Sequence, residues 1–355
     1  MNSRFGWRRT LISGAIIAVT VVAGAFLAGS FRSTPPARAF YFWRTQWVAS
    51  PEILANLKSG GIDHLYMRFF DVEWNPAEAA AVPVSPLHFQ SPLPEDLEIV
   101  PVVYLTNAVF LNIRAEDVAP LADNVWRKVS TMAGGQHLTF RELQIDCDWS
   151  DSSRDKYFHF AELLNRKLHE EHKIVSATIR LHQIKYAERT GIPPVARGML
   201  MFYNFRQIQA DSALSSIFNA EDAGRYAAFI SSYPLQLDVV LPMFSWSIHS
   251  RGGRVLGLME ETSTDDAAAF EGFQKDSPGR FSAVRSFFFH GRYFMAGDRL
   301  AVEQTTPELT HKAALLAKRG AGRGKPYGTV ALFDLNERNL KTYTTAEIGG
   351  ILDAF

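Results

Sequence analysis

From residue 40 to the C-terminus, apolar runs of strand length alternate with segments whose apolar residues recur every three or four positions, the two periods that separate strands from helices. This pattern predicts strands over 40–47, 62–74 and 98–107, within 142–153, and over 173–182, 198–205, 236–246 and 328–336. Helices are predicted over 51–58, closed by Gly60 and Gly61, and over 115–132, 155–169 and 344–355. In the helix 155–169, Phe158, Ala161, Leu164 and Leu168 form one stripe, as expected of a helix laid on a sheet. Strands mostly separated by helices predict an α/β fold, a (β/α)8 TIM barrel, which needs roughly 250 residues. The surplus length is expected in a long insertion between strands seven and eight, residues 247–326, with helical patches at 265–274 and 307–318. The run 286–294 inside it competes for the place of the eighth strand. Residues 75–95, rich in Pro and Ala, read as a long rim loop. A doubly wound open sheet is the alternative, but no Gly-rich turn follows the first strand.

The stretch 142–153, ELQIDCDWSDSS, concentrates the chemistry. Leu143, Ile145 and Cys147 fall on one face, and Gln144, Asp146 and Asp148 on the other. In a closed barrel that polar face points to the axis, and its last carboxylates reach the C-terminal rim, where such barrels keep their sites. The next strand repeats the pattern: Ser176, Thr178, Arg180 and His182 share a face opposite Val175, Ala177, Ile179 and Leu181. Arg180 beside two Asp residues makes physical sense, because a buried guanidinium is expensive unless paired. The pair is either a structural filling of the barrel or part of a substrate site. Two carboxylates this close disfavour each other's ionisation, and a proton donor beside an acceptor is what glycosidic bond cleavage requires.

Charge narrows the function classes. The chain has 37 basic and 37 acidic residues and no basic tail or stripe, which argues against nucleic acid. Its 26 Phe, 11 Tyr and 7 Trp suit a large core and a site that stacks on ring-shaped ligands. Cys147 is the single cysteine, so no internal disulfide forms. No His clusters with the acidic residues in sequence, and we assign no metal and no cofactor; oxygen ligation of a hard cation is the competing chemical reading.

The N-terminus reads as a targeting device. Arg4, Arg8 and Arg9 precede an apolar run over 11–28, followed by Arg32 and a Pro-rich spacer with Ala37, Arg38 and Ala39. The run lies between the length of a signal-peptide core and the roughly 20 residues of a membrane span. Residues 1–39 are therefore expected to be a signal peptide, cut before Phe40, or an uncut anchor in the inner membrane. Both place a single domain, 40–355, in the periplasm.

Further residues fall at predicted rims. Tyr203 and Asn204 end strand six and Trp246 ends strand seven, where a Tyr can hydrogen-bond a sugar hydroxyl and a Trp can floor a sugar ring. Arg68, Asp71 and Glu73 form the polar exit of strand two, and Asp334 and Glu337 lie at the end of strand eight. The Gly-rich run 320–326 lacks a Ser or Thr after Lys325 and precedes a strand, so it reads as a connection and not a phosphate loop.

The run Leu143-Gln144-Ile145-Asp146-Cys147-Asp148-Trp149 resembles the fourth-strand signature of the chitinase-like glycoside hydrolases of family eighteen, and Met201-Phe202-Tyr203-Asn204 is similar to that family's sixth-strand pattern. The resemblance is nearest to uncharacterised exported bacterial barrels of this kind. It implies a TIM barrel acting on a carbohydrate polymer, with Asp146, Asp148 and Tyr203 in catalytic positions. Arg68, Asp71, Glu73, Arg180, His182, Asn204, Trp246, Asp334 and Glu337 are then expected to bind substrate. One departure matters: where the family's acid Glu stands, this chain has Ser150, followed by Asp151. A serine cannot protonate a leaving-group oxygen at ordinary pH. The acid then comes from Asp148, Asp151 or another rim carboxylate (Asp71, Glu73, Asp334 or Glu337), or the barrel binds glycans without cutting them.

Overall fold

The computed structural model describes residues 35–355 apart from 204–207, 211, 213–214, 261 and 323. The apolar run 11–28 and Asn204 lie outside the described residues. Among those that are described, no helix is long and apolar enough to cross a membrane.

Eight parallel strands close on themselves: β1 (Ala37–Phe42), β2 (His64–Asn75), β3 (Glu98–Leu105), β4 (Glu142–Asp146), β5 (Ile174–Arg180), β6 (Arg197–Met201), β7 (Leu237–Pro242) and β8 (Thr329–Phe333). Each pairs with its neighbours in chain order, and β1 pairs with both β2 and β8, so no edge is left in the ring. Ala37, Arg38 and Ala39 are registered against Thr329, Val330 and Ala331 of β8. The first half of β1 thus lies before Phe40.

The two-residue alternation sorts the barrel into an outer and an inner packing layer. Leu143, Ile145, Cys147, Val175, Ala177 and Ile179 face outward and pack with Tyr157, Phe160, Ala161, Leu164 and Leu168 of the helix Arg154–Glu170. Phe158 only flanks that layer. Inside, Tyr41, Tyr66, Val100, Val102, Met199, Met201 and Val240 form a second cluster. One chain of polar side chains among them is bonded internally, as burial favours. Tyr41 OH donates to Gln144 Oε1 at 2.5 Å, Gln144 Nε2 to Ser176 Oγ at 3.2 Å, and Ser176 Oγ to Glu142 Oε1 at 2.5 Å. At the opposite end from the rim, Arg197 lies 3.8 Å from Glu142 and 3.3 Å from Asp238.

The helices start where local chemistry allows. Ser50 caps Pro51–Ser59 by accepting from Ile53 N, with Pro at the first position, and Thr306 caps Pro307–Ala321 in the same way. The Gly-rich run after that helix has a packing reason. A Cβ on Gly320 would lie 2.6 Å from Ala227 O, so glycine permits the helix Pro307–Ala321 to approach Ala220–Ala227 closely.

Three expectations change. Residues 75–95 are more than a loop, since Ala80–Val84 folds back antiparallel onto β2. The expected strand 236–246 breaks after Pro242, because Met243 N donates to Phe333 O at 2.6 Å and Phe244 bonds Thr305 through its backbone N–H and C=O. Ser245–Arg251 then opens a second, five-stranded antiparallel sheet with Arg254–Glu260, Phe273–Ser277, Arg280–Ala283 and Arg299–Gln304. The run 286–294 is a hairpin, Phe287–Phe289 and Arg292–Phe294, and not a barrel strand. This sheet and hairpin lie between β7 and β8 in the chain and have their own apolar cluster, including Met259, Phe273, Phe281, Phe294 and Leu300.

Candidate functional site

The barrel mouth holds a cavity of about 870 Å³. Its floor comes from β4 and β5, whose register sets Gln144 against Ser176 and Ile145 against Ala177. That offset brings Arg180, the last residue of β5, level with Asp146, which ends β4, and Asp148, two residues beyond it. Arg180 Nη2 donates to Asp146 Oδ1 at 3.0 Å, and its Nε donates to Asp148 Oδ1. Thr178 Oγ1 also donates to Asp146 Oδ1, at 2.5 Å. Asp146 is buried, whereas the Asp148 side chain is 54% exposed and faces the opening.

Burial pushes the Asp146 carboxyl above the usual carboxylate range; Arg180 and the Thr178 hydrogen bond oppose that rise, and Asp148 adds to it. Burial disfavours the Arg180 charge, but Asp146 and Asp148 outweigh it, and its pKa is raised. On the neighbouring β3, Tyr104 is pushed up to about 12 by burial and then by these two carboxylates. The group is therefore a fixed cation shared by two acceptors.

Aromatic rings wall the cavity. Trp43, Tyr104, Tyr203, Tyr226, Phe244, Trp246 and Phe333 all line it. Phe244 stands edge-on to Tyr203 and to Trp246, each with ring centroids 5.5 Å apart. A second polar corner faces the first. Asp334 Oδ1 accepts from Asn336 Nδ2 and Asn339 Nδ2 at 2.9 Å each, and Arg44 lies 3.4 Å from Asp334 Oδ2. Burial raises the Asp334 carboxyl, and Arg44 lowers it. Glu260 of the second sheet is an exposed carboxylate on the same cavity. Among the described residues, no three His, Cys, Asp or Glu side chains converge as a metal site would.

Of the residues singled out from the sequence, Asp146, Asp148, Arg180, His182, Tyr203, Trp246 and Asp334 line this cavity. Tyr203 donates its hydroxyl to Met201 Sδ at 3.3 Å. Arg68 and Asp71 are outside the lining: Arg68 Nε donates to Asp71 Oδ1 at 2.6 Å, and the guanidinium lies 5.5 Å from the centre of the Trp43 ring. They back a wall residue. Glu73 is exposed where Ala80–Val84 pairs onto β2, and Glu337 is exposed at the first turn of Glu337–Thr342; neither is in the cavity lining.

Ser150 is also absent from the lining. Its Oγ lies 3.3 Å from Asn107 Nδ2 and 3.2 Å from Ser153 Oγ, and Ser153 Oγ donates to Asn107 Oδ1 at 2.5 Å. Trp149 is buried, stacked on Tyr157, and donates to Thr190 O at 3.0 Å.

The sequence reading missed Trp43, Arg44, Tyr104, Phe333 and Glu260. The first four follow or end barrel strands, and the rule that sites gather at C-terminal strand ends points to them once the strands are trimmed to their true ends. Glu260 comes from the second sheet and has no such signal.

No protein-family model and no curated protein matches this sequence. Solved structures do match in fold. The C-terminal domain of a putative chitinase from Desulfitobacterium hafniense gives a TM-score of 0.55 at 9% identity, over 90% of this chain and 100% of that one. A class V chitinase from Pseudomonas fluorescens gives 0.53 at 13% identity, over 90% and 99%. The spore cortex-lytic enzyme SleL of Bacillus cereus gives 0.51 at 11% identity, over 91% and 75%. The chain thus has the TIM-barrel fold of the chitinase-like glycoside hydrolases that its fourth strand resembles.

Proposed function

We propose that this protein is an exported, glycoside-hydrolase-like barrel that binds a carbohydrate chain in its mouth without cutting it. The observation that carries the reading is the Asp146–Arg180–Asp148 group beneath an aromatic-walled cavity, with Ser150 tied to Asn107 and Ser153 away from that cavity. Asp148, open to the mouth and held by Arg180, can serve a sugar as a fixed acceptor for hydroxyls. Aromatic rings stack on sugar faces. Similarity in fold to chitinases and to a cortex-lytic enzyme supports a polysaccharide as the ligand.

The leader fits the same reading as an uncut inner-membrane anchor. A cut before Phe40 would remove Ala37, Arg38 and Ala39 from β1, which disfavours that processing site.

A second reading is hydrolysis with Asp334 as the acid, favoured by the burial that raises its carboxyl at the same mouth. Incubating the protein with hexamers of N-acetylglucosamine and of glucose and with peptidoglycan, then assaying reducing ends, separates the two. The binding reading predicts none. New reducing ends that vanish in Asp334→Asn would transfer the conclusion to the second.

A further inference from the structure

Glu303 lies on the last strand of the second sheet, directly across from Trp246, and is buried. One of its oxygens, Oε2, gathers donors from two separate parts of the chain. Ser216 donates through its backbone N–H at 2.8 Å and its hydroxyl at 2.6 Å, Ser215 through its hydroxyl at 3.4 Å, and Trp246 through Nε1 at 3.2 Å. The other oxygen, Oε1, is buried without a hydrogen-bond partner among the described residues. Burying a carboxylate costs stability unless it is well bonded, and an apolar residue would fill the same place between strands. A buried carboxyl group here therefore needs a reason, and its contacts supply one.

Trp246 lines the cavity, and its polar edge is the end that Glu303 holds. Ser215 and Ser216 belong to the connection that leads from β6 to the helix Ala220–Ala227, which carries Tyr226, another cavity residue. A single carboxylate thus ties two aromatic wall elements to the second sheet. We infer that Glu303 is a positioning residue: it fixes the Trp246 indole plane and pins Ser215 and Ser216, just ahead of the helix that carries Tyr226, so that both rings meet a saccharide already oriented. This inference rests on the proposed glycan reading and names the group that orders its site. A preformed ring binds more tightly because its rotamer freedom is lost before the ligand arrives.

The test uses the purified full-length protein in detergent, titrated with the N-acetylglucosamine and glucose hexamers. Glu303→Ala is expected to weaken binding of whichever hexamer binds by about tenfold, and Glu303→Gln, which keeps an acceptor oxygen for Trp246 and Ser216, to recover to within about twofold. In a Trp246→Phe background, Glu303→Ala should cost clearly less than in the wild type, because one of the two groups it acts through is gone. The emission of Trp246, taken as wild type minus Trp246→Phe, should shift in Glu303→Ala and return in Glu303→Gln. An undiminished affinity in Glu303→Ala, or an equal loss in both backgrounds, overturns the inference. If the wild type binds neither hexamer, the glycan reading fails on its own, and the emission signature still decides: an unchanged Trp246 spectrum in Glu303→Ala overturns the positioning role.

Discussion

Arg180→Met tests the electrostatic core of the site. Arg180 neutralises a buried carboxylate, Asp146, and a half-exposed one, Asp148. The methionine fills similar space but leaves Asp146 with Thr178 as its remaining donor. Breaking a buried pair from one side costs about 3–5 kcal/mol. Asp148 contributes little to that figure, because water reaches it. At roughly 2 °C per kcal/mol for a chain of this size, Tm should fall by about 6–10 °C at neutral pH.

The loss should depend on pH, with a definite sign. Burial already raises the folded-state pKa of Asp146 above its unfolded value, so the native state holds more protons between the two values and stability falls as pH rises through that window. Arg180 limits the rise; removing it moves the folded value higher and widens the window upward. The deficit of Arg180→Met should therefore be greatest near pH 7 and shrink towards about pH 3, below the ordinary aspartate pKa, where Asp146 is largely protonated in both states. Urea unfolding of wild type and variant across that range measures it. A variant as stable as wild type at pH 7, or a deficit that does not change with pH, would refute the argument.

Three other outcomes follow from the structure. A chain starting at Pro36 should fold, whereas one starting at Phe40 should not, since it lacks half of β1 and its pairing to β8; circular dichroism and thermal melting distinguish them. Ser153→Ala should cost about 1–2 kcal/mol in urea unfolding, because its buried hydroxyl accepts from Ser150 N at 2.9 Å and donates to Asn107, yet saccharide affinity should not change, as none of the three lines the cavity. Asp298 is held below the usual carboxylate range: its burial would raise it, but Arg251, the Met295 N–H and His249 outweigh that. A depressed folded pKa gives stability that is present above the unfolded value and lost as pH falls through the folded one. Asp298→Asn should therefore flatten the acid limb of the unfolding profile of the second sheet, read by hydrogen exchange of 245–304.

The fold was legible where one period ran unbroken. β4 and β5 each present a clean two-residue alternation, and a barrel buries both faces, so the polar face points inward; that periodicity alone brings Arg180 to Asp146 and Asp148. The rim was less legible because strand ends are set by tertiary hydrogen bonds. Trp43 and Arg44 read as strand interior, yet β1 ends at Phe42 and they line the mouth. Asp334 and Glu337 are close in sequence, but Asn336 caps the helix that begins at Glu337, and Glu337 is exposed in its first turn. The second sheet was illegible as such: Ser245–Arg251 continues without a sequence break from the apolar run of β7, and Thr264–Ala269 runs into Phe273–Ser277 within one apparently helical patch.

The central claim is that the aromatic mouth above Asp146, Arg180 and Asp148 binds a glycan. Calorimetric titration of the N-acetylglucosamine and glucose hexamers into wild type, Trp246→Ala and Asp148→Asn tests it most directly. The account predicts saturable binding of at least one hexamer to wild type, weakened roughly tenfold or more by Trp246→Ala and clearly weakened by Asp148→Asn. No binding to wild type, or binding that neither substitution changes, would contradict it.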